Sequence, residues 1–282
     1  MKRTLFILIC AFLCPMASQA SSVLINIACG VDASKMGGTS SASQSMQTGS
    51  FAVQTVDSGS WNEITATGNG AATSTDQSIF LVDSSNRASG LSISSINLPG
   101  SKGAGATFSN FPAGNADLSS KYANYGNAWK GGVSTATGGS GSTRLFTLSG
   151  FQASTTYTIT LLCGRANTYP AAGGNTCGFT LNGIEGLAAS VATAGNAPSP
   201  TIDGGTVSGI GVDGGQMTEV TWTFTTGDTV DSSLNVSLTG TGDYNVNMIE
   251  INSLNVPEPG TASLSLLGLG ALVLRRKRSS VH

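Results

Sequence analysis

The side chains of this chain that could do chemistry are carboxylates, and they stand without histidine. Fourteen Asp and Glu residues lie between Ser21 and Asn255, while the single histidine is His282. A Ser-His-Asp or Cys-His mechanism needs an imidazole to shuttle the proton, so hydrolases of that kind are excluded from the body of the chain. Histidine-bearing zinc and non-haem iron sites lack ligands for the same reason. Two carboxylates across a cleft could still cleave a glycosidic bond. No spacing singles out such a pair, and Asp in Asp-Gly turns serves turn geometry. The expectation is a non-catalytic protein, with a carboxylate-based glycoside hydrolase as an alternative.

Asp203, Asp213, Asp228, Asp231 and Asp243 are oxygen donors of the kind calcium takes, but no EF-hand-type string occurs. No cofactor and no metal ligand is expected, a structural calcium being the alternative. Gly209-Ile210-Gly211-Val212-Asp213-Gly214 matches a dinucleotide fingerprint as a string. The residues that follow, Gly215-Gln216-Met217, lead into a strand, so no helix N-terminus is present to receive a pyrophosphate. A glycine-rich turn is expected there. The aromatic residues divide in two. Phe146, Tyr157, Trp222 and Phe224 fall on inward strand positions, whereas Tyr122, Tyr125 and Trp129 lie in a polar stretch with Lys121, Asn124, Asn127 and Lys130. Exposed rings could stack on a sugar while amides bond its hydroxyls, so Tyr122, Tyr125 and Trp129 are candidate ligand-binding residues. The alternative is a satellite core in which the rings fold back under their own loop. Arg165 to Tyr169 forms a second candidate edge.

The elements that would hold these residues are strands. Between Ser21 and Asn255 no stretch keeps a 3.6-residue period, and short alternating runs are punctuated by Gly and Asn turns. Strands are expected at 23–28, 51–56, 63–67, 78–82, 91–96, 144–148, 156–163, 178–182, 218–225, 234–239 and 247–251. In the run from Val220 to Thr225, Val220, Trp222 and Phe224 share one face and the threonines take the other. Many short strands with threonine outer faces predict an all-β fold, an antiparallel two-sheet sandwich. Residues 33–49 and 110–141 read as long loops, and Ile202-Asp203-Gly204-Gly205 and Val212-Asp213-Gly214-Gly215 as turns.

Both ends of the chain are hydrophobic. Lys2 and Arg3 precede the apolar run Leu5 to Leu13, and Ser18-Gln19-Ala20 presents small residues to a signal peptidase. Cleavage after Ala20 is expected, leaving an exported ectodomain of residues 21–255. That segment carries seven basic and fourteen acidic residues, a net charge of −7, which excludes nucleic acid as a partner. It holds Cys29, Cys163 and Cys177. Export implies oxidation, three cysteines allow three pairings, and a Cys163–Cys177 disulfide clasping the intervening loop is favoured.

At the other end, Val256-Pro257-Glu258-Pro259 is followed by an uncharged run to Leu274 and then by Arg275-Arg276-Lys277-Arg278. The prolines hold the first part extended. A transmembrane helix over 261–274, 15 residues with Gly260, is about 22 Å long and short of a hydrocarbon core of about 30 Å. The four cations stop transfer and fix the C-terminus in the cytoplasm. In all three parts, residues 256–278 resemble the PEP-CTERM sorting signal of Gram-negative bacteria. That resemblance implies cleavage near the motif by an exosortase, passage through an inner-membrane intermediate, and delivery to the cell surface or extracellular matrix. A plain single-span anchor is the alternative.

A second resemblance runs through the body. It is carried by Ile25-Asn26-Ile27, Trp61-Asn62, Phe146 to Phe151 leading to Thr155 to Ile159, Leu234 to Leu238 and Asn247 to Ile251. These patches resemble galactose-binding-like jelly rolls, in which first and last strands pair and a structural calcium is common. The resemblance implies a surface or matrix protein contacting exopolysaccharide. A purely structural or adhesive matrix protein without a defined ligand is the competing expectation.

Overall fold

The computed structural model describes residues 21–29, 39–46, 49–56, 59–66, 73–98, 108, 110–130, 132–134, 142–165, 176–195, 199–211, 215–229, 234–242 and 245–255. In chain order the strands are β1 (Ser21–Cys29), β2 (Thr39–Met46), β3 (Gly49–Val56), β4 (Gly59–Ala66), β5 (Thr73–Thr75), β6 (Ile79–Val82), β7 (Ala88–Ser94), β8 (Ile96–Leu98) and β9 (Val133–Ser134). They continue as β10 (Ser142–Ser149), β11 (Thr155–Arg165), β12 (Thr176–Asn182), β13 (Ala188–Ala194), β14 (Thr201–Asp203), β15 (Thr206–Gly211), β16 (Gln216–Thr225), β17 (Val236–Gly242) and β18 (Asn245–Asn255). One helix, α1 (Ala116–Ala123), lies between β8 and β9 among the described residues.

Two large sheets result. One runs β13-β16-β11-β18-β1-β4-β3-β2, with β9 added to β18; the other runs β14-β15-β12-β17-β10-β7-β6, and β5 pairs β8 apart from both. Alternation decides which face of each strand turns inward. Val220, Trp222 and Phe224 of β16 are buried, and their cross-strand partners on β11 are Leu161, Ile159 and Tyr157. From the other sheet Phe179 and Leu181 of β12 and Val236 and Leu238 of β17 enter the same core. Each such side chain removed from water contributes about 1.5–3 kcal/mol. The threonines between them pair outside, Thr156 with Thr225 at 2.9 Å and Thr160 with Thr221 at 3.3 Å.

Two polar anchors tie the layers. The Trp222 indole Nε1 donates to the Gly205 carbonyl at 2.8 Å, joining β16 to the β14–β15 turn. Asn62 is fully buried, and its amide donates to the Leu24 and Val82 carbonyls while its Oδ1 accepts from the Val82 N–H. It thereby replaces backbone pairing between β4 and β6, which belong to different sheets. Gly150, at φ +86°, ends β10 where any Cβ would stand 2.2 Å from the Gly90 carbonyl oxygen, so only glycine closes that turn.

The fold is mostly β in two sheets, as the alternation predicts, with departures. The β1–β4 pairing is parallel, whereas the remaining pairs are antiparallel among the described residues. Strands β2, β13 and β15 occupy Ser-, Ala- or Gly-rich stretches and β14 is only Thr-Ile-Asp, so these stretches carry little hydrophobic alternation. The stretch 33–49, expected as loop, contains β2, and 110–141 contains α1 and β9. The expected Cys163–Cys177 disulfide is not formed. Cys163 keeps its thiol, which donates to the Thr218 carbonyl at 3.4 Å. The two cysteines stand on β11 and β12, strands of different sheets. The jelly-roll and galactose-binding-like detail is matched here only at the level of a β-rich, two-sheet body whose first and last strands pair.

Candidate functional site

The chemistry-bearing residues converge on the outer face of the larger sheet, beneath α1. Asn115 caps this helix: at φ −143° it is extended, and its side-chain oxygen accepts from the Leu118 N–H at 3.0 Å. Asp117 in the first turn and Lys121 in the last suit the helix dipole. Leu118 and Tyr122, four apart, share the buried face. They pack on Leu24, Trp61, Leu162 and Met248, outward residues of the sheet that would otherwise face water.

Lys121, Tyr122 and Tyr125 then hang over two carboxylates. Glu219 projects from β16 opposite Leu162, and Glu250 from β18 opposite Thr160, so both flank β11. The Lys121 ammonium donates to Glu219 Oε2 at 2.6 Å and stands 3.9 Å from Glu250 Oε2. The Tyr122 hydroxyl donates to the same Glu219 oxygen in a short bond, and the Tyr125 hydroxyl donates to Glu250 Oε1 at 3.0 Å. The carboxylate side chains are 14% and 8% exposed. Burial, and after it the negative charge of Glu219, pushes the Tyr122 phenol well above its ordinary value of 10.0; burial and Glu250 do the same to Tyr125. Both phenols therefore remain protonated donors. The acids are the acceptors of a clamp, and the space a substrate would need between them is taken by the protein's own ammonium and phenols.

Amides finish the cap. The Asn26 side chain donates to the Ala128 carbonyl at 2.8 Å and that of Asn247 to the Trp129 carbonyl at 3.0 Å, while Asn247 Oδ1 accepts from Asn245. Rings fill what remains. Phe111 stacks on Tyr122 at 5.6 Å, and Trp61 meets Tyr125 edge-on at 5.5 Å.

The candidate trio is thus brought together, but as a satellite core. Tyr122 is 0% and Trp129 6% exposed, and Tyr125 is half-buried with its hydroxyl committed to Glu250. The expected sugar-stacking platform is not formed, because the outward aliphatic face of the sheet takes up these rings first. Sequence reading placed the aromatic loop correctly as a unit and missed Glu219 and Glu250. A charge at an outward strand position, opposite a Leu and beside another apolar outward residue, was the available signal.

Of the remaining candidates, Asp228 accepts from the Ser154 hydroxyl at 3.2 Å, and Asp203 ends β14. Among the described residues no group of three or more His, Cys, Asp or Glu is placed to hold a metal. Asp213, Asp231 and Asp243 lie outside the described residues, as do residues 166–169 of the second candidate edge. So do the sorting motif Val256 to Pro259, the expected helix 261–274, the cations Arg275 to Arg278 and the leader 1–20. Among the described residues no helix is long and apolar enough to cross a membrane. Gly209 to Gly211 end β15 and β16 begins at Gln216, residues 212–214 lying outside the described residues.

Openings accessible from outside among the described residues include a groove and a cleft. A polar groove of about 400 Å³ lies on the outer face of the smaller sheet, lined by Ser94, Ser95, Arg144, Thr147, Asn235 and Ser237. A cleft of about 230 Å³ opens at one end of the sandwich, between Tyr157 and Ile251 of one sheet and Leu91 of the other, with Asp83, Arg87 and Gln152 at its rim.

Among the described residues the geometry defines a two-sheet β body whose larger sheet carries the helix on its outer face and whose smaller sheet carries a polar groove. Residues 255–278 match the family model of the PEP-CTERM protein-sorting motif, and the match begins on the last residue of β18. The match supports an exported protein that an exosortase sorts by a membrane-associated passage toward the cell surface. No curated protein and no solved structure matches the chain.

Proposed function

We propose that the chain is an exosortase-processed protein of the cell surface or extracellular matrix, non-catalytic, that contacts exopolysaccharide through the open face of its smaller sheet. The observation that carries the reading is the sorting motif joined directly to the last strand of a folded β body. Support for polysaccharide contact comes from the groove around Arg144, where hydroxyls, an amide and a guanidinium line an open trough. Such groups exchange hydrogen bonds with water for hydrogen bonds with sugar hydroxyls, and an open trough admits a polymer without requiring its end. A non-catalytic role is supported by the Glu219–Glu250 pair, in which Glu219 Oε2 accepts from Lys121 and Tyr122 and Glu250 Oε1 accepts from Tyr125.

The test is retention of the processed protein, isolated from the cell surface, on immobilised exopolysaccharide from the same cells. The wild type is expected to be retained and Arg144→Ala to be retained less. Self-association or adhesion without retention would favour the purely structural reading. Glycan cleavage abolished by Glu219→Gln would favour the carboxylate hydrolase instead.

A further inference from the structure

Strands β1 and β18 are antiparallel neighbours, and their register runs Ser21 opposite Ser253, Ser22 opposite Asn252 and Val23 opposite Ile251. The expected signal-peptidase cut after Ala20 and the sorting motif from Val256 therefore leave the body at the same end, on adjacent strands about 5 Å apart. On its other side β18 stays paired to its last residue, Asn255 opposite Thr155 and Leu254 opposite Thr156. No slack separates strand from motif.

The rest of that end is built from three turns. Ser84 N–H donates to the Ser22 carbonyl at 2.8 Å, which fixes the β6–β7 turn beside the start of β1. Ser154 N–H donates to the Gly227 carbonyl at 2.8 Å, and Thr226 N–H to the Thr155 carbonyl at 3.0 Å, which fix the β10–β11 loop and the turn after β16 beside the end of β18. Arg87 and Asp228 are exposed on this rim, and Leu254 is 54% exposed. Five residues lead from Asn255 to Gly260, where the uncharged run begins. Fully extended, that is a reach of about 17 Å. While the run is held in the bilayer, the rim can stand no further than this from the membrane surface.

We infer that this rim, whose charges include Arg87 and Asp228 beside Asp83, is a docking surface for the exosortase. The inference rests on the sorting reading above and adds a second contact to it. An enzyme that takes Val256 to Pro259 as an extended substrate must occupy the space between bilayer and sandwich, so it meets the folded body as well as the motif. Arg87 and Asp228 can be altered without touching the fold. Arg87 enters the turn through its backbone, donating N–H to Asp83 Oδ1 at 2.9 Å and accepting from Asp83 N–H at 2.8 Å, and Asp228 contributes one exposed bond to Ser154.

The experiment follows processing of the full-length precursor in cells containing the exosortase, by pulse-chase and mass spectrometry of the released form. Arg87→Glu combined with Asp228→Lys is expected to slow conversion at least about threefold, because charges meant to face complementary groups are reversed. Inserting about ten Gly/Ser residues between Asn255 and Val256 lets the motif be reached without the body, and the same reversals should then be silent. The melting temperature of the released body and the amount of precursor in the membrane report folding and export separately. Reversals that do nothing at native spacing, or that act equally with the spacer present, overturn the docking surface. So does a spacer that alone accelerates conversion, since the body would then be an obstacle. A change in membrane retention of the precursor in cells lacking the enzyme would assign the rim to lipid and overturn it too. If the unaltered precursor is never converted, the sorting reading itself falls, which is a distinguishable result.

Discussion

Replacing Tyr122 by Phe removes one hydroxyl and nothing else, and the structure sets what that should cost. The ring is fully buried against Phe111 and Tyr125, and its hydroxyl donates to Glu219, a carboxylate 14% exposed. A hydrogen bond to a charged acceptor contributes about 1.5–3 kcal/mol, and Lys121 still holds the carboxylate, so the lower half of that range is expected. For a body of this size each kcal/mol moves Tm by about 2–4 °C, which gives a fall of about 3–9 °C. Tyr122→Ala also empties the ring's place, for about 3–5 kcal/mol. The alkaline limb adds a second readout. The folded-state pKa of Tyr122 is raised above its ordinary 10.0, so on raising the pH the unfolded chain loses this proton first. The stabilising contribution is thus complete below pH 10 and is lost above it, and Tyr122→Phe should show a shallower alkaline decline than wild type. Denaturant midpoints near neutrality and above pH 10, read by circular dichroism, test both statements. A Phe variant with unchanged stability that loses glycan retention would refute the clamp and restore Tyr122 as a ligand residue.

Other expectations are independent of that cluster. Asn247→Ala should cost about 1–3 kcal/mol in thermal melts, since it removes the donor to the Trp129 carbonyl and leaves the Asn245 amide with the Gly164 carbonyl alone. Gly150→Ala, whose Cβ would meet the Gly90 carbonyl at 2.2 Å with φ at +86°, should cost about 2–5 kcal/mol. Gly209→Ala also has a positive φ, +73°, but no atom within 4 Å, so about 1–2 kcal/mol is expected by the same assay. Cys163 should resist thiol reagents until the protein unfolds, being fully buried. A Cys163–Cys177 bridge found by mass spectrometry of unreduced protein would contradict this.

Alternation within a strand is a local property, so the stretches with large inward side chains were legible. Tyr157, Ile159 and Leu161 announce β11, and Val220, Trp222 and Phe224 announce β16, because period two with threonine between them suits a half-buried strand and nothing else. Strands β2, β13, β14 and β15 were not legible. Most of their residues are small or polar, the few larger ones, Ile202, Val207 and Ile210 among them, do not alternate, and the neighbours they pair with decide their conformation. The candidate site divides in the same way. The aromatic loop 122–129 stood out by composition, but composition carries no information about which face it meets.

The order of amino acids by itself determined the destination of this protein. A sorting motif, a short uncharged run and a basic cluster are recognised from residue order alone, and the absence of histidine between Ser21 and Asn255 excludes imidazole-dependent mechanisms there without any geometry. Only the tertiary structure decided that Glu219 and Glu250, 31 positions apart, share one ammonium, that the tyrosines are donors to them beneath the helix, and that Ser21 and Ser253 stand opposite each other at one end of the body. Those are consequences of strand order and register. Register is set by the sum of many weak pairings across the sheet, and no short stretch of sequence contains that sum.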